Sequence, residues 1–344
     1  MYTGKADRNA AYKKNRECKQ GRSLFFLSVI SAAAILAGTV LTGCRRADDL
    51  VQEQAEPENY ALTVFTAQER KEWEPVIKEF EERTGWNVRV ETGSAKEMLS
   101  QLEKEEADWD VAFGVSADAL EEGKEYWQTG KDAWTGYSAV SFVILYNTNV
   151  VTYRELPTGW DSLLEPRWKG RVAVPDPLKS DMAASVLTEA AKNSEKEEFL
   201  DLLAENMQYQ MPETFKEVEQ GISDGRYSIG VTSEEAAKAM LAAGQDVDYI
   251  DPEEGECFFE DGTAIRKRTP NLDASEAFVT YTTCDDTKWL LRTQLLRQPA
   301  EDVAAENDRS DEDLKQRYSR QQEVLNIWKL IMEEKSGSAH EQEQ

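Results

Sequence analysis

LTVFTAQERKEWEPVIKEFEERTGWNVRVETGSAKEMLSQLEKEEADWDVAFGVS, residues 62–116, decides the fold. Leu62 and Val64 alternate as in a strand; Trp73, Val76, Ile77 and Phe80 then fall at i, i+3, i+4 and i+7, one face of a helix. Gly85 closes that helix, and Trp86, Val88 and Val90 alternate against Asn87, Arg89 and Glu91 as the next strand. Ser94 opens a second helix carrying Met98, Leu99 and Leu102, and Asp110 to Phe113 reads as a third strand. Strand, helix, strand, helix, strand implies right-handed βαβ crossovers and a mainly parallel sheet.

Downstream, SFVILY (Ser141 to Tyr146) reads as a strand buried on both sides. The order then repeats: strands at Arg171 to Val174, Tyr227 to Val231 and Val247 to Ile250, and helices near 182–192, 195–206, 212–221 and 234–243. Residues 273–284 and 311–334 have helical periodicity, the last with Val324, Leu325, Trp328 and Ile331 on one stripe. From Ser336 to 344 the chain is a polar tail expected to fray. Single cores stop growing near about 250–300 residues, so a chain of this length is expected to form two α/β lobes. Trp73 and Trp86 fall on apolar faces; Trp134, Tyr137 and Trp160 suit either the rim of a cleft or the core.

The N-terminus speaks to compartment. Seven basic residues (Lys5, Arg8, Lys13, Lys14, Arg16, Lys19, Arg22) precede an apolar run from Leu24 to Leu41 and the sequence Leu41-Thr42-Gly43-Cys44. That is the build of an export signal, residues 1–43, and its ending resembles a bacterial lipobox with Cys44 as the lipidated residue. An uncleaved membrane anchor is the rival reading. Residues 44–60 are polar and aperiodic, a tether. Residues 1–43 hold seven basic and two acidic residues, so removing them takes the net charge from −26 to −31. So acidic a chain has no surface for nucleic-acid phosphates or anionic lipid, and solubility is the plain reading of the charge. Cys257 and Cys284 remain; an exported location permits a disulfide between them, and two separate buried thiols are the alternative.

Eight stretches, in order, resemble the ferric iron, thiamine and phosphonate group of the type II periplasmic-type solute-binding proteins. They are VFTAQE (64–69), FEERTGWNVRVETGS (80–94), DVAFGVSADAL (110–120), VILYNTN (143–149), LPTGWDSLLEPRWKGRVAVPDP (156–177), GRYSIGV (225–231), DPEEG (251–255) and LLRQPAEDV (295–303). The resemblance implies a two-lobed fold with lobe I at 61–146 plus 251–335, lobe II at 147–250, and a ligand cleft between them. It implies a monomer that captures a small solute by hinge closure and delivers it to an ABC permease and its ATPase, with no cofactor.

Ligands in such sheets sit beyond the C-terminal strand ends, where loops lead into helix N-termini with unpaired amides. The junctions here are Thr66-Ala67, Gly93-Ser94, Gly114 to Ser116, Asp176 to Asp181 and Thr232 to Glu235. The candidate ligand contacts are therefore Thr66, Ser94, Gly114, Ser116, Asp176, Ser180, Asp181, Thr232, Glu234 and Glu235, with Glu254 nearby. Each has a structural alternative: Ser94 with Glu97 and Thr232 with Glu235 are capping boxes, and Ser116 suits an N-cap. Iron-binding members carry adjacent tyrosines after the strand matching Tyr227–Val231; here Val231-Thr232-Ser233-Glu234-Glu235 stands in that place, and the one histidine is His340. The acids around the cleft point instead to a solute with an amine beside a phosphonate or phosphate. Ferric iron is the alternative ligand. Other classes are a ligand-loaded sensor and an exported carboxylate-dependent hydrolase, although no GxSxG, HExxH, P-loop or CxxC motif occurs.

Overall fold

The computed structural model describes residues 60–128, 133–255, 257–304 and 311–342. The proposed leader, Cys44 and most of the tether lie outside these. Strands β1 (Leu62–Thr66), β2 (Val88–Thr92) and β3 (Val111–Ser116) pair in parallel about β1. The crossovers are helices α1 (Arg70–Thr84) and α2 (Ala95–Glu103). Val76, Ile77 and Phe80 of α1 are buried as the periodicity predicts, and Gly85 ends the helix at φ 72°, where a side chain would be strained. Phe80 meets Phe278 edge-on, centroids 5.0 Å apart, and Phe278 meets Phe113 in the same way at 5.3 Å.

The sheet departs from a mainly parallel one. Strand β4 (Thr135–Asn147) is thirteen residues long, more than twice the SFVILY core, and β8 (Cys257–Ile265) had no counterpart in the pattern. Both run antiparallel to their neighbours. The strand order is β2-β1-β3-β8-β4-β6-β5, with β6 at Ile229–Ser233 and β5 at Val172–Ala173; β7 (Val247–Ile250) and β9 (Gln298–Pro299) also pair with β4. The first half of β4 pairs with β8 and the second with β6 and β7, so this single strand passes from one lobe to the other.

Two lobes follow. The first packs β1–β3 against α1, α2, α3 (Ala117–Glu122), α8 (Leu272–Thr282) and α9 (Asp285–Leu290), in clusters around Phe80–Phe113–Phe278 and Phe65–Trp109–Trp127. The second packs β5–β7 against α4 (Asp181–Asn193), α5 (Phe199–Asn206), α6 (Phe215–Ser223) and α7 (Glu234–Ala242). Trp160 and Tyr137 are core residues, and the partly buried Trp134 donates its Nε1–H to Glu121.

After the short α10 (Ala300–Ala304), helix α11 (Asp311–Gln342) runs on past Ser336, where the polar tail was expected to fray. It lies across both lobes: Tyr318 packs against the Phe65–Trp109 cluster, whereas Val324 and Trp328 are buried in the core of the second lobe. The two cysteines sit in different cores, Cys257 in the second lobe's and Cys284 in the first's, and both are free thiols. The disulfide is therefore not formed. No helix among the described residues is long and apolar enough to cross a membrane.

Candidate functional site: the cleft between the lobes

The loops at the C-terminal ends of β1 and β3 meet α4, α6 and α7 of the second lobe around a cleft of about 350 Å³. Val140, Met182, Phe215 and Phe259 make its apolar floor, and Phe215 stacks on Phe142 at 5.6 Å. A continuous second compartment of about 490 Å³ opens between the N-termini of α2 and α4 and is walled by Tyr318, Gln321 and Leu325 of α11.

At the base stands Arg297, 4% exposed. Its Nη1 donates to Asp261 Oδ2 at 2.6 Å and to Ser138 Oγ at 2.8 Å, and its Nη2 donates to Glu72 Oε1 at 3.0 Å. Asp261, on β8, accepts two further bonds from the N–H and hydroxyl of Ser138 and one from Gln68 Nε2 at 2.9 Å. Burial alone disfavours the guanidinium charge. Glu72 and Asp261 outweigh it and hold Arg297 above its ordinary pKa. Glu72 also receives the Glu69 N–H, so one carboxylate ties the start of α1 to Arg297. The network joins β1, α1, β4 and β8 at the point where the lobes meet.

Gln68 lies over Gly114. That glycine has φ +62°, and a Cβ there would stand 2.4 Å from Gln68 Cδ, so the close approach requires glycine. Thr66 Oγ1 accepts the Gln68 N–H at 3.2 Å and fixes the turn. Gln68 is 8% exposed, its Nε2 is used by Asp261, and its Oε1 has no hydrogen-bond partner. A buried acceptor left unmatched in a cleft wall calls for a donor, from water or from a bound molecule. Glu219, on α6, is a second acceptor in that wall. Burial pushes its pKa up, countered by the hydroxyl of Thr232, which donates to Oε1 at 2.7 Å.

Of the residues singled out from sequence, Thr66, Ser94, Gly114, Ser180 and Asp181 line the two compartments. Ser94 also caps α2, with Glu97 completing the box, and Ser180 caps α4 through Ala183 N–H. The others lie off the lining. Ser116 is buried at the start of α3. Asp176 shapes the turn before α4, accepting the Leu178 N–H at 3.0 Å. The cap of α7 is Ser233, not Thr232, because Thr232 is the penultimate residue of β6 and points to Glu219. Glu234 and Glu235 pair with Lys238 at 2.8 and 3.2 Å. Glu254 caps the turn at Trp160, accepting the N–H groups of Trp160 and Asp161 at 3.0 and 3.1 Å. Sequence reasoning missed Gln68, Glu72, Glu219, Asp261 and Arg297. Gln68 and Arg297 do lie inside VFTAQE and LLRQPAEDV, two of the stretches that carried the resemblance.

Two lobes around a polar cleft with an apolar floor are the build of a solute-binding protein. The chain belongs to the bacterial extracellular solute-binding proteins, whose family profile matches residues 113–322. It is 22% identical to Iron uptake protein A1 of Synechocystis sp. over 317 residues, 82% of this chain and 84% of that one. In fold it is similar to the ferric binding protein from Campylobacter jejuni (TM-score 0.63, 17% identity, 78% of this chain and 99% of that one). It is also similar to the periplasmic binding protein AfuA from Actinobacillus pleuropneumoniae, solved with fructose-6-phosphate bound (TM-score 0.65, 14% identity, 79% and 98%). Among the described residues, no group of three His, Cys, Asp or Glu side chains is placed to hold a metal ion.

Proposed function

We propose that this chain is the extracytoplasmic solute-binding component of an ABC importer. It is tethered to the membrane through lipidated Cys44 and delivers its solute to a permease and ATPase. Lobe I is built mainly from residues 61–146 plus 251–335 and lobe II from residues 147–250, with the second half of β4, Cys257 and the Val324–Trp328 part of α11 contributed to lobe II. The two close on the solute about the crossing strands.

The solute is a small polar molecule that presents an amine or other strong donor to the cleft. One observation carries this reading: the acceptor Gln68 Oε1 is buried in the cleft wall without a donor, with the carboxylate of Glu219 also lining the cleft. A second reading is iron, favoured by the likeness to an iron uptake protein. With no group of three His, Cys, Asp or Glu side chains placed to hold a metal ion among the described residues, iron would arrive as a chelate carrying ligands of its own.

The test is the melting temperature of ligand-stripped protein against polyamines, thiamine, 2-aminoethylphosphonate, sugar phosphates and ferric citrate. Ligand at a hundredfold its Kd adds about 2.7 kcal/mol, a visible shift. A shift with an amine-bearing solute, lost in Glu219→Gln, is the expected result. A shift with ferric citrate alone would replace the first reading by the second.

A further inference from the structure

The second compartment has the outward form of an anion site. Two helix N-termini, of α2 in one lobe and α4 in the other, face it, and Lys96, Lys179 and Lys329 line it. Helix N-termini and lysines together attract anions. The seat is already taken. The N–H of Ala95, first residue of α2, donates to Asp181 Oδ2 at 3.0 Å, a hydrogen bond from one lobe to the other. The neighbouring donors are also used: Ser94 N–H and Oγ–H both go to Glu97 Oε2, at 2.8 and 3.0 Å, and Glu97 N–H goes back to Ser94 Oγ at 3.2 Å.

We propose that Asp181 is a specificity-determining residue: its carboxylate sits where α2 would receive an anionic group of a solute, and so excludes such groups from this half of the cleft.

Three observations support the role. Asp181 is held in place, because it is the first residue of α4 behind the Ser180 cap and its carbonyl accepts Gln321 Nε2–H at 3.2 Å, from a side chain only 4% exposed. It is reinforced by like charge, since Glu97 on α2 and Asp118 on α3 both act on it from the opposite lobe. It is also uncompensated: among the described residues no lysine or arginine is ion-paired with it, while Lys179 is drawn away to Glu213 and Lys329 to Glu333. An incoming phosphate would have to displace a carboxylate that the fold itself supplies, next to two more acids. The lysines at the rim bring anions close without offering them a place to bind. Whether the solute proper is an amine or an iron chelate does not alter this role, which rests only on the two lobes closing against each other.

The experiment is calorimetric titration of the full chain with inorganic phosphate, alone and after Asp181→Ser, with correct folding checked by circular dichroism. Wild type is expected to bind phosphate at least tenfold more weakly than the Asp181→Ser variant. Adding Ala95→Pro should abolish the gain, because it removes the N–H that receives the anion. Proline is well accommodated at the first position of a helix, and Ser94, at ψ 158°, already has the extended backbone that a following proline demands. Should Asp181→Ser fail to fold, Asp181→Asn keeps the hydrogen bond and loses the charge, and a smaller gain is expected from it. Equal phosphate affinity in wild type and variant, or a gain that survives Ala95→Pro, would overturn the proposal. A solute panel without any amine hit would count against the proposed solute and leave this role standing.

Discussion

Arg297 Nη1 stands 2.6 Å from Asp261 Oδ2, and both side chains are sealed from water at the point where β8 crosses between the lobes. A buried ion pair of this kind is weak evidence for stability, because desolvation offsets much of the attraction. Breaking one side of it is different, since the survivor remains buried and charged. Arg297→Ala is expected to destabilise the protein by about 3–5 kcal/mol in urea unfolding. Arg297→Lys should recover only part, because an ammonium cannot span Asp261 and Glu72 with a planar fork. A loss below about 1 kcal/mol for Arg297→Ala would mean that water replaces the guanidinium and that the network does not hold the lobes.

Gly114 and Gln68 form the second linked pair. Gly114→Ala adds a Cβ 2.4 Å from Gln68 Cδ at a φ that alanine resists. Gln68 must move, and with it the only donor that it gives to Asp261. A destabilisation of about 1–3 kcal/mol is expected, together with loss of the melting shift given by whichever solute binds wild type. Retention of that shift would remove Gln68 from the binding wall.

How much of this was legible follows from the physics of each element. The first three strands and two helices were read from their patterns: α1, α2 and β2 each bury one face, whereas β1 and β3 are buried on both faces, between the two clusters of the first lobe. Strand β8 escaped because its sequence, CFFEDGTAI, buries Asp261, Gly262 and Thr263 where apolar residues would be the usual signal. Asp261 is buried to build the Arg297 network, and Thr263 to meet Thr282 of α8, which are tertiary requirements with no local period. The junctions Thr66, Gly114, Ser94 and Ser180–Asp181 were found because strand-to-helix loops have sequence markers. Glu219 sits in the middle of α6 and has none. Glu254 looked like a cleft acid because it lies within the family stretch DPEEG, yet it caps the turn at Trp160.

The thiols give a third prediction. Cys257 and Cys284 are buried in separate cores, and burial pushes the Cys257 thiol well above its ordinary pKa. The melting temperature should therefore be the same with and without reducing agent, and neither thiol should react with a thiol reagent until the protein is unfolded. Rapid labelling of the native protein at either position would show that its core opens.

The last prediction concerns acid. Burial, with Asp118 and Glu97 adding repulsion against the Ala95 hydrogen bond, pushes the Asp181 carboxyl up to about 6 from 3.8. A carboxyl whose pKa is higher in the folded protein binds its proton more tightly there than in the unfolded chain. Protonation thus favours the folded state: the contribution is fully present below about pH 4 and is lost as pH rises through about 6. A shift of this size corresponds to at most about 3 kcal/mol. Many other acids titrate in the same range, so the useful quantity is the difference between wild type and Asp181→Asn, which has nothing to titrate at that position. On going from pH 7.5 to pH 5, wild type should gain stability relative to the variant by about 1–2 kcal/mol in urea unfolding at each pH. A relative loss on acidification would mean that the Ala95 hydrogen bond outweighs burial and that the ionised form of Asp181 seals the cleft.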